Sequence, residues 1–393
     1  MIVMNTGISH LQSSDQEQLR MAEKRLAKAK TPAEKIKQKE ILAELLEQNG
    51  LHDNSRSLWN ELAQTQQGDL YQAMCLRKIT QSFLNQRDHD SAAIHAATAL
   101  RAIRQTPLTS QQERTEYFNI LVQNCTAFYF CLQPEKVEAC VKELRILFSA
   151  VEDLHQKIDF YFAVSLHFLL KYRWYQLPEE ALSHCEFYMH LAKQTGDAGT
   201  LVMAITGRAF VHLWREEITE SRKLFEEAIY LLGEKNYGFL LICYTYTAIG
   251  YRMQNNVSMT ELWSKMTIEK AEKTGNKLYL AVSTANMSWV YATRKNWLYA
   301  EDHARRSFDF LMRSSVLYYL SSFPLLDALL QKDDMQEAGK YCFFLLHPKA
   351  KRLPPLLTGK IRVFTAAWVS GNAIDLRDLL SDLIAEAKTS GYY

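Results

Sequence analysis

The sequence predicts an all-α fold, a right-handed α-solenoid of stacked antiparallel helix hairpins with a period of about 40 residues. Three observations support this prediction. A small residue recurs early in the second helix of five of six predicted hairpins, and in four of the six a small residue also lies twelve positions earlier. The chain of 393 residues also contains 14 glycines and 8 prolines, fewer than strands joined by tight turns need.

The repeat is defined by two sets of positions. Small side chains let the axes of two helices approach closely, since antiparallel helices otherwise sit roughly 8–10 Å apart. A hairpin of this length cannot bury its apolar face alone, so it must stack on its neighbours. The second-helix set, with steps of 42, 40, 41, 38 and 38 residues, is Ala139, Ala181, Ser221, Leu262, Ala300 and Ala338. The first-helix set is Ala127, Leu169, Ala209, Gly250, Ser288 and Leu326.

Residues 133–347 carry a resemblance to the tetratricopeptide-repeat (TPR) family, whose hairpins have a small residue in the first helix and alanine in the second. The usual period of that family is about 34 residues. The longer period here is similar to that of the helical-repeat sensor regions of large bacterial signalling ATPases of the maltose-regulon activator type. The resemblance implies a concave groove, lined by the first helices, that binds a partner.

In chain order, we predict a polar and basic segment over 1–30 with a frayed start at 1–19, helical repeats over 31–346, and a capping hairpin over 347–393. Eight or nine hairpins fit this length. Pro324 should kink or shorten the helix over 316–330. Three capping boxes are expected to start helices: Thr31 with Glu34, Ser110 with Glu113, and Ser258 with Glu261.

Composition and charge favour a cytoplasmic protein. The net charge of +2 implies no bulk attraction to nucleic acid or membrane. The seven cysteines are scattered without a C-x-x-C pair, which is typical of buried thiols in a reducing compartment. No secretory signal and no uncharged run of about 20 residues is present. The basic residues of 20–39, and the group Lys349, Lys351 and Arg352, are interpreted as solvated faces.

No motif in the sequence indicates catalysis, a metal or a cofactor. Dinucleotide-binding, phosphate-loop, His-Glu-x-x-His and calcium-loop patterns do not occur. His184 and His190 are six residues apart, so a helix places them on different sides. Glu216 and Glu217, like Glu226 and Glu227, are adjacent and do not face each other, so we interpret them as solvated faces. We therefore expect a protein that is not an enzyme.

Aromatic residues near the first-helix small positions give a candidate binding groove. Large rings with a few polar groups and an arginine suit a peptide or an amphipathic helix, because Trp, Tyr and Arg commonly anchor interfaces. The alternative is that these rings pack between neighbouring hairpins. The candidate residues are Phe128, Arg173, Trp174, Phe210, Trp214, Thr247, Tyr251, Gln254 and Trp289.

Three functions are compatible with this sequence. The first is a non-catalytic scaffold or adaptor that holds a protein or peptide ligand. The second is a regulatory sensor whose groove binds a small molecule or signalling peptide and controls a partner. The third is an enzyme within a helical fold, which a cluster of titratable residues in one pocket would support. The sequence favours the first and leaves the oligomeric state open.

Overall fold

The computed structural model describes residues 13–65, 67–233, 237–371 and 375–393, and within these ranges it contains helices and no strand. Residues 1–12 of the predicted N-terminal segment lie outside this description. The chain divides into two compact units, residues 1–167 (unit one) and 168–393 (unit two). Consecutive helices pack against each other within each unit. The all-α hairpin-repeat prediction is thus confirmed.

The helices of unit one form successive antiparallel pairs. Helices α4 and α6 also contact each other, as first helices of neighbouring hairpins should. The helices are α1 (Ser13–Lys28), α2 (Pro32–Gln48), α3 (His52–Ala63), α4 (Asp69–Asn85), α5 (His89–Ile103), α6 (Gln111–Phe130), α7 (Pro134–Phe148) and α8 (Leu154–Lys171), whose last turn belongs to unit two.

Unit two continues the same arrangement, and its first helices α12, α14 and α16 stack directly on one another. A 3₁₀ turn (Val316–Tyr318) precedes α16. The helices are α9 (Glu179–Thr195), α10 (Ala198–Trp214), α11 (Ile218–Leu232), α12 (Tyr237–Met253), α13 (Val257–Thr274), α14 (Lys277–Thr293), α15 (Trp297–Ser314), α16 (Tyr319–Lys332), α17 (Met335–Leu345), α18 (Pro355–Ser370) and α19 (Leu376–Thr389).

Two of the three predicted capping boxes are present. Thr31 and Ser110 each accept the N–H of the glutamate three residues later, and that glutamate accepts the N–H of the capping residue. The prediction at Ser258 is wrong, because α13 begins earlier and its cap is Asn256, whose side chain accepts the Met259 N–H. The frayed start is also wrong for residues 13–19, which form the first part of α1.

The predicted register of small residues is correct in four hairpins and wrong in two. Ala139 is exposed, and the side chain of Leu262 is 49% exposed, so neither lies at a helix contact. In both hairpins the contact is two residues earlier. In the α6–α7 hairpin, Cys125 Sγ lies 4.0 Å from the carbonyl oxygen of Val137, and both residues are fully buried.

With this correction, each of eight hairpins contains a pair of buried residues twelve positions apart. Two of the pairs are joined directly, since Ser55 Oγ donates to Ala43 O over 2.9 Å and Ser221 Oγ donates to Ala209 O over 2.8 Å. From Ser221 to Ala338 the second-helix steps become 39, 40 and 38 residues. The pairs are Ala43–Ser55, Thr80–Ala92, Cys125–Val137, Leu169–Ala181, Ala209–Ser221, Ala248–Thr260, Ser288–Ala300 and Leu326–Ala338.

Pro324 lies inside α16, and the helix continues through it to Lys332. A proline has no N–H, so it leaves the carbonyl oxygen four residues earlier, that of Leu320, without its helical donor. The Arg252 guanidinium donates to this oxygen over 2.9 Å. Burial lowers the pKa of Arg252 to about 10, while the Tyr319 and Tyr393 hydroxyls act in the opposite direction. The proline is therefore accommodated by a buried arginine from α12.

The predicted break near residue 348 separates α17 from α18, which are joined by residues 346–354. Helix α18 packs back on α17 through an indole. A Cβ on Gly339 would come within 2.2 Å of the Trp368 ring, so this position requires glycine. The Trp368 Nε1–H donates to Gln336 Oε1 over 3.2 Å. Helix α19 contacts α16, so the final hairpin of the chain is tied to the repeats before it.

Candidate partner-binding site

In unit two, a short non-helical part of the chain lies against the C-terminal ends of earlier helices. It comprises residues 347–354, which we term the docked segment. It makes a turn over 348–350, and residues 351–354 have no regular secondary structure. Ala350, Lys351 and Leu353 of this segment are buried, whereas Arg352 points outward. The docked segment is thus packed against this face of unit two.

Arg173 binds the backbone of the docked segment. Its Nε–H donates to Ala350 O over 2.9 Å, and its Nη2 group lies 3.4 Å from His347 O. In return, the Arg352 N–H donates to the carbonyl oxygen of Arg173 over 3.0 Å. Arg173 has a positive φ of 51° just after α8, which lets its side chain and its carbonyl serve the same segment. All of these hydrogen bonds involve backbone groups of the docked segment and none involves its side chains.

Lys351 is held in a cage of four aromatic rings. Its side chain enters between the helix ends, and the residue is 3% exposed. A cation within about 6 Å of a ring centroid is attracted by the ring's negative face. We call these rings the lysine cage. The distances from Lys351 Nζ are 4.5 Å to Tyr392, 5.1 Å to Trp214, 5.5 Å to Tyr319 and 5.6 Å to Tyr175.

Hydrogen bonds complete the surroundings of this ammonium group. Lys351 Nζ donates to Tyr392 Oη over 2.9 Å and to Arg352 O over 3.3 Å. The Tyr392 hydroxyl in turn donates to Glu216 Oε1 over 3.3 Å. Burial lowers the pKa of Lys351 to about 7, and the Glu216 carboxylate acts in the opposite direction. Burial also raises the pKa of Tyr392, so its hydroxyl stays protonated.

The residues after α19 hold the far side of the cage. The Tyr393 hydroxyl donates to Asp327 Oδ2 over 2.6 Å, and Lys388 Nζ donates to the same oxygen over 2.9 Å. Asp327 is 2% exposed on α16. Lys388 also lies 4.4 Å from the Tyr393 ring centroid. These contacts fix the neighbouring Tyr392, whose ring closes the cage beside Tyr319 at a centroid distance of 5.9 Å.

The groove residues that the sequence predicted in unit two differ in burial and in whether they contact the docked segment. Arg173 and Trp214 contact the docked segment directly. Trp174 is buried beside them at 7% exposure. Tyr251 is buried too, with the Arg222 guanidinium 4.2 Å above its ring. Trp289 is 1% exposed and lies 5.7 Å from the Arg252 guanidinium.

The other four predicted residues do not touch the docked segment in any contact described. Phe210 is half-buried and packs edge-on against Tyr246 with centroids 4.5 Å apart. Thr247 is fully buried, and Gln254 is exposed. Phe128 is buried in unit one. Partner binding by these nine residues stays a prediction; the rings of Trp214 and Trp289 are largely enclosed.

Sequence reasoning missed most of the cage. Lys351 was expected in a solvated patch, and this is wrong, because its side chain is buried among rings. Tyr175, Tyr319 and Tyr392 lie outside the first-helix positions used to predict the groove. Glu216 is exposed, as expected of a solvated carboxylate, and it also accepts a hydrogen bond from Tyr392. The prolines at 348 and 354 are the one available signal, since they favour an extended, non-helical stretch around the lysine.

No side-chain cluster able to hold a metal ion occurs in the described part of the chain. In the same ranges, no helix combines the length and apolar content of a membrane span. All seven cysteines are free thiols, and six of them are buried.

The stacked hairpins, with small residues at the helix contacts, define a TPR-like helical-repeat fold. No protein-family model and no curated protein sequence matches the chain. Among solved structures, the chain is similar to a STAND signal transduction ATPase with a tetratricopeptide repeat sensor from Pyrococcus horikoshii. The identity is 15% and the TM-score 0.51, with 95% of this chain and 56% of that one covered. The chain thus spans just over half of that structure.

The apo form of RapI is also similar, with 13% identity and a TM-score of 0.56 over 90% of this chain and 97% of that one. At identities this low, the two structural likenesses show a shared fold alone.

Proposed function

We propose that the chain is a non-catalytic, TPR-like scaffold or adaptor that binds a non-helical segment of a protein or peptide partner. The binding face is the one in unit two that surrounds Arg173 and Trp214. The observation that carries the proposal is the docked segment itself, since this face already holds eight residues of polypeptide through backbone and side-chain contacts.

The contacts are of the kind that recognises a peptide. Arg173 binds carbonyl oxygens, which every sequence has, and the cage adds a pocket for one side chain. Backbone hydrogen bonds that supply affinity and pockets that supply specificity are the usual division in peptide recognition. The enclosed ring of Trp174 follows Arg173 directly in the chain, whereas Trp214 contributes a ring to the lysine cage.

The test uses selection of 12-residue peptides displayed on phage against the full chain. Enriched peptides are synthesised, and their Kd is measured by fluorescence anisotropy. Arg173→Met should weaken binding by about tenfold or more, because a charged hydrogen bond contributes roughly 1.5–3 kcal/mol. Arg306→Met is the matched control, since Arg306 is exposed on α15. No enrichment, or equal affinities for both variants and the wild type, would refute the proposal.

A sensor that binds a small molecule or signalling peptide is the second candidate. It is favoured by the solved STAND structure, which is described as having a tetratricopeptide repeat sensor and matches 95% of this chain. A thermal-shift screen with metabolites separates the two. A metabolite that raises Tm in the wild type and not in Arg173→Met would support the sensor, whereas selected peptides without any metabolite hit support the scaffold.

A further inference from the structure

We infer that the lysine cage is a lysine-selective subsite and that the docked segment is its built-in competitor. A partner that presents a lysine on a non-helical stretch would bind by displacing residues 347–354 of this chain. The inference rests on the proposed function, because it names the specificity and the regulation of the same face.

The cage fits an ammonium group on a slender stem. Four rings surround Nζ at 4.5–5.6 Å, and the hydroxyl of Tyr392 accepts one of its hydrogens. A second hydrogen goes to the carbonyl of the residue after the lysine, Arg352. A planar guanidinium has a fixed fork of five donors, and a trimethylated lysine has none, so neither reproduces this pattern. The subsite therefore selects unmodified lysine.

The neighbouring positions of the docked segment define the rest of the recognised pattern. Ala350 is 3% exposed and Leu353 is 5% exposed, so a small residue must precede the lysine and an apolar residue must follow two positions later. Arg352 between them is exposed, and its guanidinium lies 5.6 Å from the Tyr175 ring centroid, so this position tolerates many residues and favours a cation. The pattern is small–Lys–any–apolar, in a stretch whose carbonyl groups remain free to accept from Arg173.

Displacement is an exchange of equivalent contacts. A partner lysine would make the same ring contacts and the same hydrogen bond to Tyr392 that Lys351 makes. The docked segment has the advantage of its tether, since α17 and α18 hold its two ends and short tethers give effective concentrations in the millimolar range. The wild-type chain should therefore bind such a partner weakly until the competitor is weakened.

The experiment measures anisotropy of a labelled peptide that copies residues 345–356, with the full chain as receptor. Lys351→Asp places a carboxylate against the negative ring faces and near Glu216, so the docked segment should leave the cage and this variant should bind the peptide at least tenfold more tightly than the wild type. Lys349→Met is the matched control, because Lys349 lies in the same segment and is exposed; it should bind like the wild type. A peptide with arginine in place of its second lysine should bind Lys351→Asp at least tenfold more weakly, because its planar fork does not fit the cage.

A second measurement needs no variant. An excess of the same peptide added to the wild type should accelerate hydrogen exchange of the Arg352 amide, which the docked segment donates to Arg173 O. The arginine peptide should leave that exchange unchanged.

Three outcomes would overturn the inference. One is equal affinity of the wild type and Lys351→Asp, and another is equal affinity of the lysine peptide and the arginine peptide. The third is a stable dimer of the wild-type chain in which a second copy supplies the segment. In each case phage-selected peptides that depend on Arg173 would still support the proposed function. Conversely, selected peptides that ignore Arg173 would refute the proposed function whatever the lysine does.

Discussion

The contact between Arg252 and the carbonyl group opposite Pro324 gives a prediction that isolates one hydrogen bond. Pro324 cannot donate to Leu320 O, and Arg252 Nη2 donates to it instead over 2.9 Å. Pro324→Ala restores an N–H that can make the helical bond. Arg252→Met should therefore be more costly beside the proline than beside the alanine, because only the proline background leaves Leu320 O unsatisfied.

The expected coupling follows from the chemistry of one buried acceptor. Leaving a buried carbonyl without a donor costs about 1–3 kcal/mol, and a hydrogen bond from a charged group is worth about 1.5–3 kcal/mol. The free energy of each single substitution also contains desolvation of the guanidinium, which is 2% exposed. That contribution cancels in a double-mutant cycle, so we expect a coupling free energy of about 1–3 kcal/mol.

The assay is urea unfolding of four proteins, the wild type, both single variants and the double variant. Tryptophan fluorescence reports on unit two, because six of the seven tryptophans lie in residues 168–393. Far-UV circular dichroism checks that all four proteins are helical before denaturation. Single-variant effects that add within about 0.5 kcal/mol would refute the account of how α16 accommodates its proline.

Three further predictions use the same fluorescence assay. Ala300→Leu should lower the free energy of unfolding by about 1–3 kcal/mol, because it overpacks a fully buried helix contact. Ala385 is exposed on α19, so Ala385→Leu should change this free energy by no more than about 0.5 kcal/mol. Similar effects at both sites would contradict the register of the helix contacts. Trp289→Ala should cost about 3–5 kcal/mol, since the indole is 1% exposed; a neutral result would place it at the surface. Folding lowers the pKa of Lys351 from 10.5 to about 7. Between these two pH values the unfolded chain binds more protons than the folded chain, so the free energy of unfolding should rise with pH, by up to about 1.4 kcal/mol per pH unit. Lys351→Met should flatten this rise, and an unchanged slope would mean that other groups cause it.

Local chemistry explains which features the sequence predicted well. The capping boxes at Thr31 and Ser110 depend on residues three positions apart, so they are readable from the chain alone. The twelve-residue pairing also follows from the geometry of a helix, a turn and a helix. It failed at Ala139 and Leu262 because the residues buried at the helix contact are Val137 and Thr260, two positions earlier, which a search for alanine, glycine and serine does not select.

The candidate site shows the opposite case. Arg173 and Trp214 were identified from their repeat positions, and both contact the docked segment. Lys351 was not identified, because its cage joins rings from three helix ends and from the residues after α19. Arg173 and Ala350 are 177 positions apart in the chain, far beyond any periodicity.

The sequence by itself determined the helices and their pairing into eight or nine hairpins, because both depend on hydrogen bonds and side chains close together in the chain. The tertiary structure alone decided which small residues touch, which arginine serves the carbonyl opposite Pro324, and which lysine enters the cage. Those choices depend on how stacked hairpins bring distant residues within about 3–6 Å, where hydrogen bonds and cation–π attraction act.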